Sequence, residues 1–345
     1  MLGACGGKGV GASGVSMMPS TLPVGPTVQH VSATTQLWRR QNLYVTSASP
    51  YFFNEYRLPL HNREDPTLTE TGVNEPVPIV DDGRDLYVGS FDDGTIFTYP
   101  LPLTSTLPLR KVALAAAASN EPYIAPFSGT HSAEPAGRPA TDGGLPSGLG
   151  DLSGLAVSGG YLYVAGVGYS GSEVLEYRLP FVSGETPSGS VAGFSFDFLG
   201  IATRNHTLYI ASTVAGTVGA YRLPLRSGEA PRYTIPTIPQ IDGAVGVAVD
   251  GDGNHLYVSF YAVGYNADVY EYRLPYRKGE SPKTLDVISQ TGGEPAYGIA
   301  VSQNHLFVGA ETVIVSYRLP FTSRTMPEAM VSFAGGLATD VAAGK

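Results

Sequence analysis

An all-β fold assembled from six repeats is what this 345-residue sequence predicts, and three observations carry the prediction. Glycine (43) and proline (27) make up about a fifth of the chain, well above the roughly 12 % of an average protein. So many helix breakers argue against an all-helical fold. Hydrophobic residues reach 43 %, with 21 Tyr and 13 Phe, too rich for a disordered chain, and glycine lacks the three-residue period of collagen. Finally, a Leu-(Tyr/Phe)-(Val/Ile) triplet begins at Leu43, Leu86, Leu162, Leu208, Leu256 and Leu306, at spacings of 43, 76, 46, 48 and 50 residues.

Each unit reads as four short strands. The first is small and apolar, as in Gly246-Val247-Ala248-Val249 and Gly298-Ile299-Ala300-Val301. After a tight turn, the Leu-Tyr-Val triplet forms the second. The third ends in Tyr-Arg-Leu-Pro at Tyr56, Tyr177, Tyr221, Tyr272 and Tyr317, with Tyr99-Pro100-Leu101-Pro102 as the divergent copy. Proline suits strand ends, where no ladder donor is lost. A Gly-Glu-x-Pro turn, as in Gly279-Glu280-Ser281-Pro282, leads to a polar fourth strand such as Lys283-Thr284-Leu285-Asp286-Val287. Four strands in about 45 residues, repeated six times, predict a six-bladed β-propeller of four-stranded antiparallel blades. The long second spacing leaves room for a seventh blade. Residues 115–150 show no alternating apolar run, so they read as an inserted loop. The tail Gly336 to Ala342 resembles another first strand and is expected to pair beside the first unit and close the ring.

Residues 245–275, with Gly-Val-Ala-Val-Asp followed by Gly-Asn-His-Leu-Tyr-Val, resemble NHL-repeat propellers, over roughly residues 30–340. That resemblance implies architecture more than activity, because such propellers host both binding modules and enzymes. The predicted organisation is a flexible tether over 1–27 and one propeller domain over 28–345.

In a propeller, the connections from fourth to next first strand and from second to third strand share one face, here called the top. An acid precedes five of the first strands: Glu75, Asp151, Asp197, Asp242 and Glu294. Carboxylates converging at a channel mouth repel one another, and a hard cation such as Ca2+ would relieve that repulsion. The gluconolactonase-like propellers hold a metal in that region with Glu, Asn and Asp. The resemblance implies a metal-dependent lactonase as an alternative function, although this chain has no Asn on its inner strands to complete such a set. The plainer reading makes the acids acceptors for free N–H groups at strand starts. The second-to-third-strand loops add Tyr51, Phe53, Phe91, Asp92, Tyr169, Tyr261, Tyr265 and Asp268 as candidate ligand-binding residues. Aromatics there suit a protein, carbohydrate or small-molecule ligand.

On the opposite face, Asn205-His206, Asn254-His255 and Asn304-His305 read as hairpin turns. Arg57, Arg178, Arg222, Arg273 and Arg318 are expected to pair with repeat acids such as Glu185, Glu229 and Glu280. The net charge of −9 argues against nucleic acid as a partner, since phosphate neutralisation needs clustered Lys and Arg. No nucleophile elbow, zincin helix or Walker A sequence occurs, and the Gly-rich stretch Gly6 to Gly14 precedes no strand-helix unit and so is no phosphate loop; the reading leans away from an enzyme.

Leu2-Gly3-Ala4-Cys5 resembles the lipobox of bacterial lipoproteins, and the Gly-rich stretch after it resembles a tether. The resemblance implies lipidation of Cys5 as the membrane attachment and a cell-envelope (periplasmic or outer-membrane) or secreted location. The expected function is an exported binding scaffold. A self-assembling extracellular structural protein is the second alternative.

Overall fold

The structure, a computed structural model, describes residues 41–48, 50–91, 94–104, 107–114, 149–168, 171–182, 185–194, 199–236, 244–260, 268–291, 296–333 and 338–344. The tether over 1–27 with Cys5, and residues 115–148 of the expected insertion, lie outside them.

The described residues form six four-stranded antiparallel sheets. Blade 1 contains β1 (Asn42–Ala48), β2 (Tyr51–Arg57) and β3 (Leu68–Glu70). Blade 2 is β4 (Pro76–Asp81), β5 (Asp85–Ser90), β6 (Thr95–Pro100) and β7 (Arg110–Ala113). Blade 3 is β8 (Asp151–Ser158), β9 (Tyr161–Gly168), β10 (Gly171–Arg178) and β11 (Gly189–Phe194). Blade 4 is β12 (Leu199–Arg204), β13 (Thr207–Ser212), β14 (Thr217–Arg222) and β15 (Tyr233–Pro236). Blade 5 is β16 (Ala244–Val249), β17 (His255–Phe260), β18 (Asp268–Arg273) and β19 (Lys283–Asp286), followed by the single-turn helix α1 (Ile288–Thr291). Blade 6 is β20 (Ala296–Ser302), β21 (His305–Ala310), β22 (Val313–Arg318) and β23 (Ala329–Ser332). The last strand, β24 (Ala338–Ala343), returns to blade 1 and pairs antiparallel with β1 as its innermost strand. The ring is therefore closed between the two ends of the propeller, as the first-strand-like tail predicts.

Strand alternation explains why the repeat makes a ring. Successive side chains leave a strand on opposite faces, and both faces of a blade are covered by neighbours. Leu256 and Val258 pack in a cluster with Tyr209 of blade 4, while Tyr257 between them packs with Ile299, Val308 and Tyr317 of blade 6. Leu43, Val45 and Phe307 meet in the seam between blades 6 and 1, and Tyr44 faces Ile79 and Val88 of blade 2. Each fully buried Leu or Val contributes roughly 1.5–3 kcal/mol. The Leu-Tyr-Val triplet is thus a seam code: the aliphatics face one neighbour and the aromatic faces the next.

The partner directly across from that aromatic differs between blades. Tyr44, Tyr163 and Tyr257 oppose the buried Glu55, Glu176 and Glu271 in blades 1, 3 and 5. In blades 2, 4 and 6 the same place holds Thr98, Ala220 and Ser316. Glu176 joins two blades, accepting the backbone N–H of Leu225 from blade 4 at 2.8 Å and the hydroxyl of Ser188 at 2.7 Å. The Leu-Pro bond closing each third strand, from Leu58-Pro59 to Leu319-Pro320, is cis.

Candidate functional site

The inner strands β24, β4, β8, β12, β16 and β20 pack in a closed cycle around the hub. Their approach is close. A Cβ on Gly246 would come to 2.5 Å of the Tyr297 carbonyl oxygen, and one on Gly298 would collide with the backbone of Asp340. Aligning the strands by cross-strand partners puts Gly154, Gly200, Gly246 and Gly298 at one equivalent place, each preceding the residue that opposes a triplet Val or Ile. Pro78 stands there in blade 2, and Asp340 stands there in the closing strand.

Asp340 is the feature that sequence reading missed. Its carboxylate Oδ2 accepts the backbone N–H of Ile79 in blade 2 at 3.0 Å, and Oδ1 accepts the N–H of Val341 at 2.8 Å. The Asp340 N–H donates to the Thr46 hydroxyl at 3.1 Å, which itself donates to the Val77 carbonyl at 2.8 Å. Blade 5 repeats that hydroxyl bridge, with Ser259 accepting the Gly246 N–H at 2.9 Å and donating to the Tyr297 carbonyl at 2.6 Å. Asp340 retains some exposure at the hub, but it is closely surrounded by protein. Burial pushes its carboxyl up to about 7, against the opposing pull of the two N–H bonds. The available signal was an Asp where the tail should repeat a Gly.

The top acids fall into two groups. Glu75 and Asp151 are described, both partly exposed; Glu75 lies just before β4 and Asp151 opens β8. Glu75 adopts a positive φ of 43°, and its carbonyl accepts the Phe91 N–H at 2.9 Å. Asp197, Asp242 and Glu294 lie outside the described residues, so their convergence with Glu75 and Asp151 is not established. Among the described residues, no cluster of three or more His, Cys, Asp or Glu could hold a metal ion.

Of the candidate ligand-binding residues, Tyr51 presents an exposed ring, with 44 % of its surface accessible. Phe53 (0 %) and Phe91 (2 %) are buried. Phe53 packs edge-on against Tyr99 of blade 2 at 5.2 Å, and the Phe91 carbonyl accepts the Leu152 N–H of blade 3 at 3.3 Å. The Phe53 ring fills the seam between blades 1 and 2, and the Phe91 ring is buried. Asp268 opens β18 opposite Asp286. Asp92, Tyr169, Tyr261 and Tyr265 lie outside the described residues.

Charge is sorted between the faces. Every described Lys and Arg sits toward the bottom: at first-to-second-strand turns (Arg84, Arg204), at third-strand ends (Arg57, Arg178, Arg222, Arg273, Arg318), in the turns that follow (Arg63, Arg226, Arg277, Lys278, Arg324), or where fourth strands begin (Arg110, Lys111, Arg232, Lys283). The described top carries Glu70, Glu75, Asp151, Glu173, Asp268, Asp286 and Glu311 with no described cation among them. Glu173 is half-buried, and that burial raises its carboxyl above the ordinary value.

The expected arginine pairing takes a different form. Among the described residues, the ion pair made by a repeat arginine is Arg318 with Glu328, at 3.9 Å. Glu185 instead caps the Val182 N–H at 3.4 Å. Asn205-His206 forms the expected turn, with positive φ at both residues (48° and 58°), whereas His255 and His305 open β17 and β21, the latter just after a turn with positive φ at Gln303 (53°). His255 Nδ1 lies 2.7 Å from Asp250 Oδ2, and its Nε2 faces Glu271 at 3.9 Å. Lys283 also bonds Glu271.

No protein-family model matches the chain, and no curated protein aligns with it significantly. Solved structures share the fold. A crystal structure of a nidogen/laminin complex contains a chain that superposes with a TM-score of 0.55 at 11 % identity, covering 88 % of this chain and 98 % of that one. The WD40 β-propeller domain of Doa1 superposes with a TM-score of 0.53 at 12 % identity, covering 87 % of this chain and 82 % of that domain.

Proposed function

We propose that this chain is a propeller-based binding scaffold whose acidic top face receives a partner carrying cationic groups, with a protein as the favoured partner. The observation that carries the reading is the sorting of charge: described Lys and Arg are confined to the bottom, while the described top is acidic and bears the exposed ring of Tyr51. Fields of one sign over a face steer oppositely charged partners and raise association rates. One of the similar propellers was solved in a nidogen/laminin complex, which is in keeping with a protein partner. The Gly-Val-Ala-Val-Asp pattern supports assignment to the NHL type, and Leu2-Gly3-Ala4-Cys5 supports export with a lipid on Cys5.

The test uses a lysine-rich peptide surface as probe. Wild-type protein is expected to bind it with an affinity that falls as salt rises. Replacing Glu75, Asp151 and Glu173 by their amides is expected to weaken binding at least tenfold. A control that removes the same charge from the exposed bottom acids Asp65, Asp252 and Glu280 is expected to bind nearly as wild type. Equal losses in both variants would show that bulk charge, and not the top face, governs binding.

A further inference from the structure

In the seam between blades 3 and 4, a carboxylate fills the place opposite the triplet aromatic. Glu176 stands opposite Tyr163, and its Oε2 accepts the N–H of Leu225, the residue that follows Leu223-Pro224 in blade 4. Ser188, whose N–H donates to the Glu176 carbonyl, gives its hydroxyl to Oε1 at 2.7 Å.

Blade 6 carries the same two positions with their chemistry exchanged. Ser316 stands opposite Phe307, and the residue whose N–H donates to the Ser316 carbonyl is Glu328. The hydroxyl is now the buried member, at 3 % exposure, and the carboxylate is exposed at the rim. There Glu328 Oε2 lies 2.9 Å from His305 Nε2, and Oε1 lies 3.9 Å from Arg318. The space that Glu176 fills in its own seam is left as a cavity of about 40 Å³ between blades 6 and 1, lined by Gln41, Leu60, His305, Phe307, Ser316 and Glu328 among others. That volume holds a few water-sized groups. Two groups in its wall have no hydrogen-bond partner among the described residues. They are the Ser316 hydroxyl and the N–H of Leu60, which follows Leu58-Pro59 as Leu225 follows Leu223-Pro224.

We infer that this cavity binds a small carboxylate of about acetate size, which takes the place that Glu176 fills between blades 3 and 4. Buried donors left without acceptors are costly, and one carboxylate accepts from both the Leu60 N–H and the Ser316 hydroxyl. Leu58, Pro59 and Phe307 supply an apolar wall for the methyl group. Glu328 is the acid among the lining residues, and it would repel an anion. Its carboxylate is engaged by His305 and Arg318, which offset that repulsion.

Isothermal titration of the full chain with sodium acetate at constant ionic strength tests the site. Saturable binding is expected at about millimolar strength, the range open to a ligand this small. Acetamide keeps the shape and loses the charge, and is expected to bind at least tenfold more weakly. Ser316→Glu returns the carboxylate of blade 3 to this seam and is expected to weaken acetate binding at least tenfold. Should that protein fail to fold, Ser316→Val removes the hydroxyl, narrows the cavity and reads the same loss. Acetamide binding as tightly as acetate, or a folded Ser316 variant binding as wild type, would overturn the proposal. So would an absence of saturable acetate binding, which would leave the cavity to water.

Discussion

The carboxylate of Asp340 accepts the backbone N–H of Ile79 at 3.0 Å across 261 residues of chain. That bond ties the closing strand of blade 1 to the inner strand of blade 2, at a place where four of the other inner strands have glycine. Its consequence for stability has a definite sign. The folded carboxyl is raised to about 7 from its ordinary 3.8, so between those values the folded chain holds a proton that the unfolded chain has lost. The stabilisation is complete below about pH 4, declines as pH rises toward 7, and is flat above. Urea unfolding of Asp340→Asn should show a shallower pH dependence than wild type, by on the order of 1–3 kcal/mol after allowing for partial exposure.

Hub glycines should resist even one added methyl. A Cβ at Gly298 meets the Asp340 backbone, which cannot swing aside. Gly298→Ala is expected to cost roughly 1–3 kcal/mol in chemical unfolding. Gly251→Ala, where no atom lies within 4 Å, should change stability by less than about 0.5 kcal/mol.

Glu176 is a buried clamp between blades 3 and 4. Glu176→Ala strands the Leu225 N–H and the Ser188 hydroxyl, which now donate to it at 2.8 and 2.7 Å. The expected loss is roughly 1–3 kcal/mol. Glu176→Gln keeps an acceptor and should lose less. Equal losses in the two variants would mean that the hydrogen bonds contribute little.

Repeat tyrosines should separate into two classes. The buried Tyr317 hydroxyl has no hydrogen-bond partner among the described residues, so Tyr317→Phe is expected to be neutral or stabilising. The Tyr56 hydroxyl accepts a bond from Asn54 Nδ2 at 3.2 Å, and Tyr56→Phe should cost about 1 kcal/mol. Thermal unfolding of the two proteins side by side checks the difference.

Much of the architecture was legible because a repeated seam needs repeated chemistry. Leu256-Tyr257-Val258 shows which side chains face which neighbour once its period of two is recognised, and Gly-Glu-x-Pro shows where the chain turns. The candidate site was less legible. Phe53 and Phe91 share the composition and loop proximity of Tyr51, yet both are buried while Tyr51 reaches solvent. Side-chain type does not record which neighbour covers it.

By itself, the sequence determined the blade count, the four strands of each blade and the sorting of Lys and Arg to one face, because these follow from short-range alternation and turn chemistry. The tertiary structure alone decided which carboxyl its surroundings raise to about 7. Asp340 is one acid among 30 in the chain, and its perturbation depends on Thr46, Ile79 and Gly298 converging on it from three blades. Desolvation is a property of everything packed around a group, and here that surrounding is assembled from segments hundreds of residues apart.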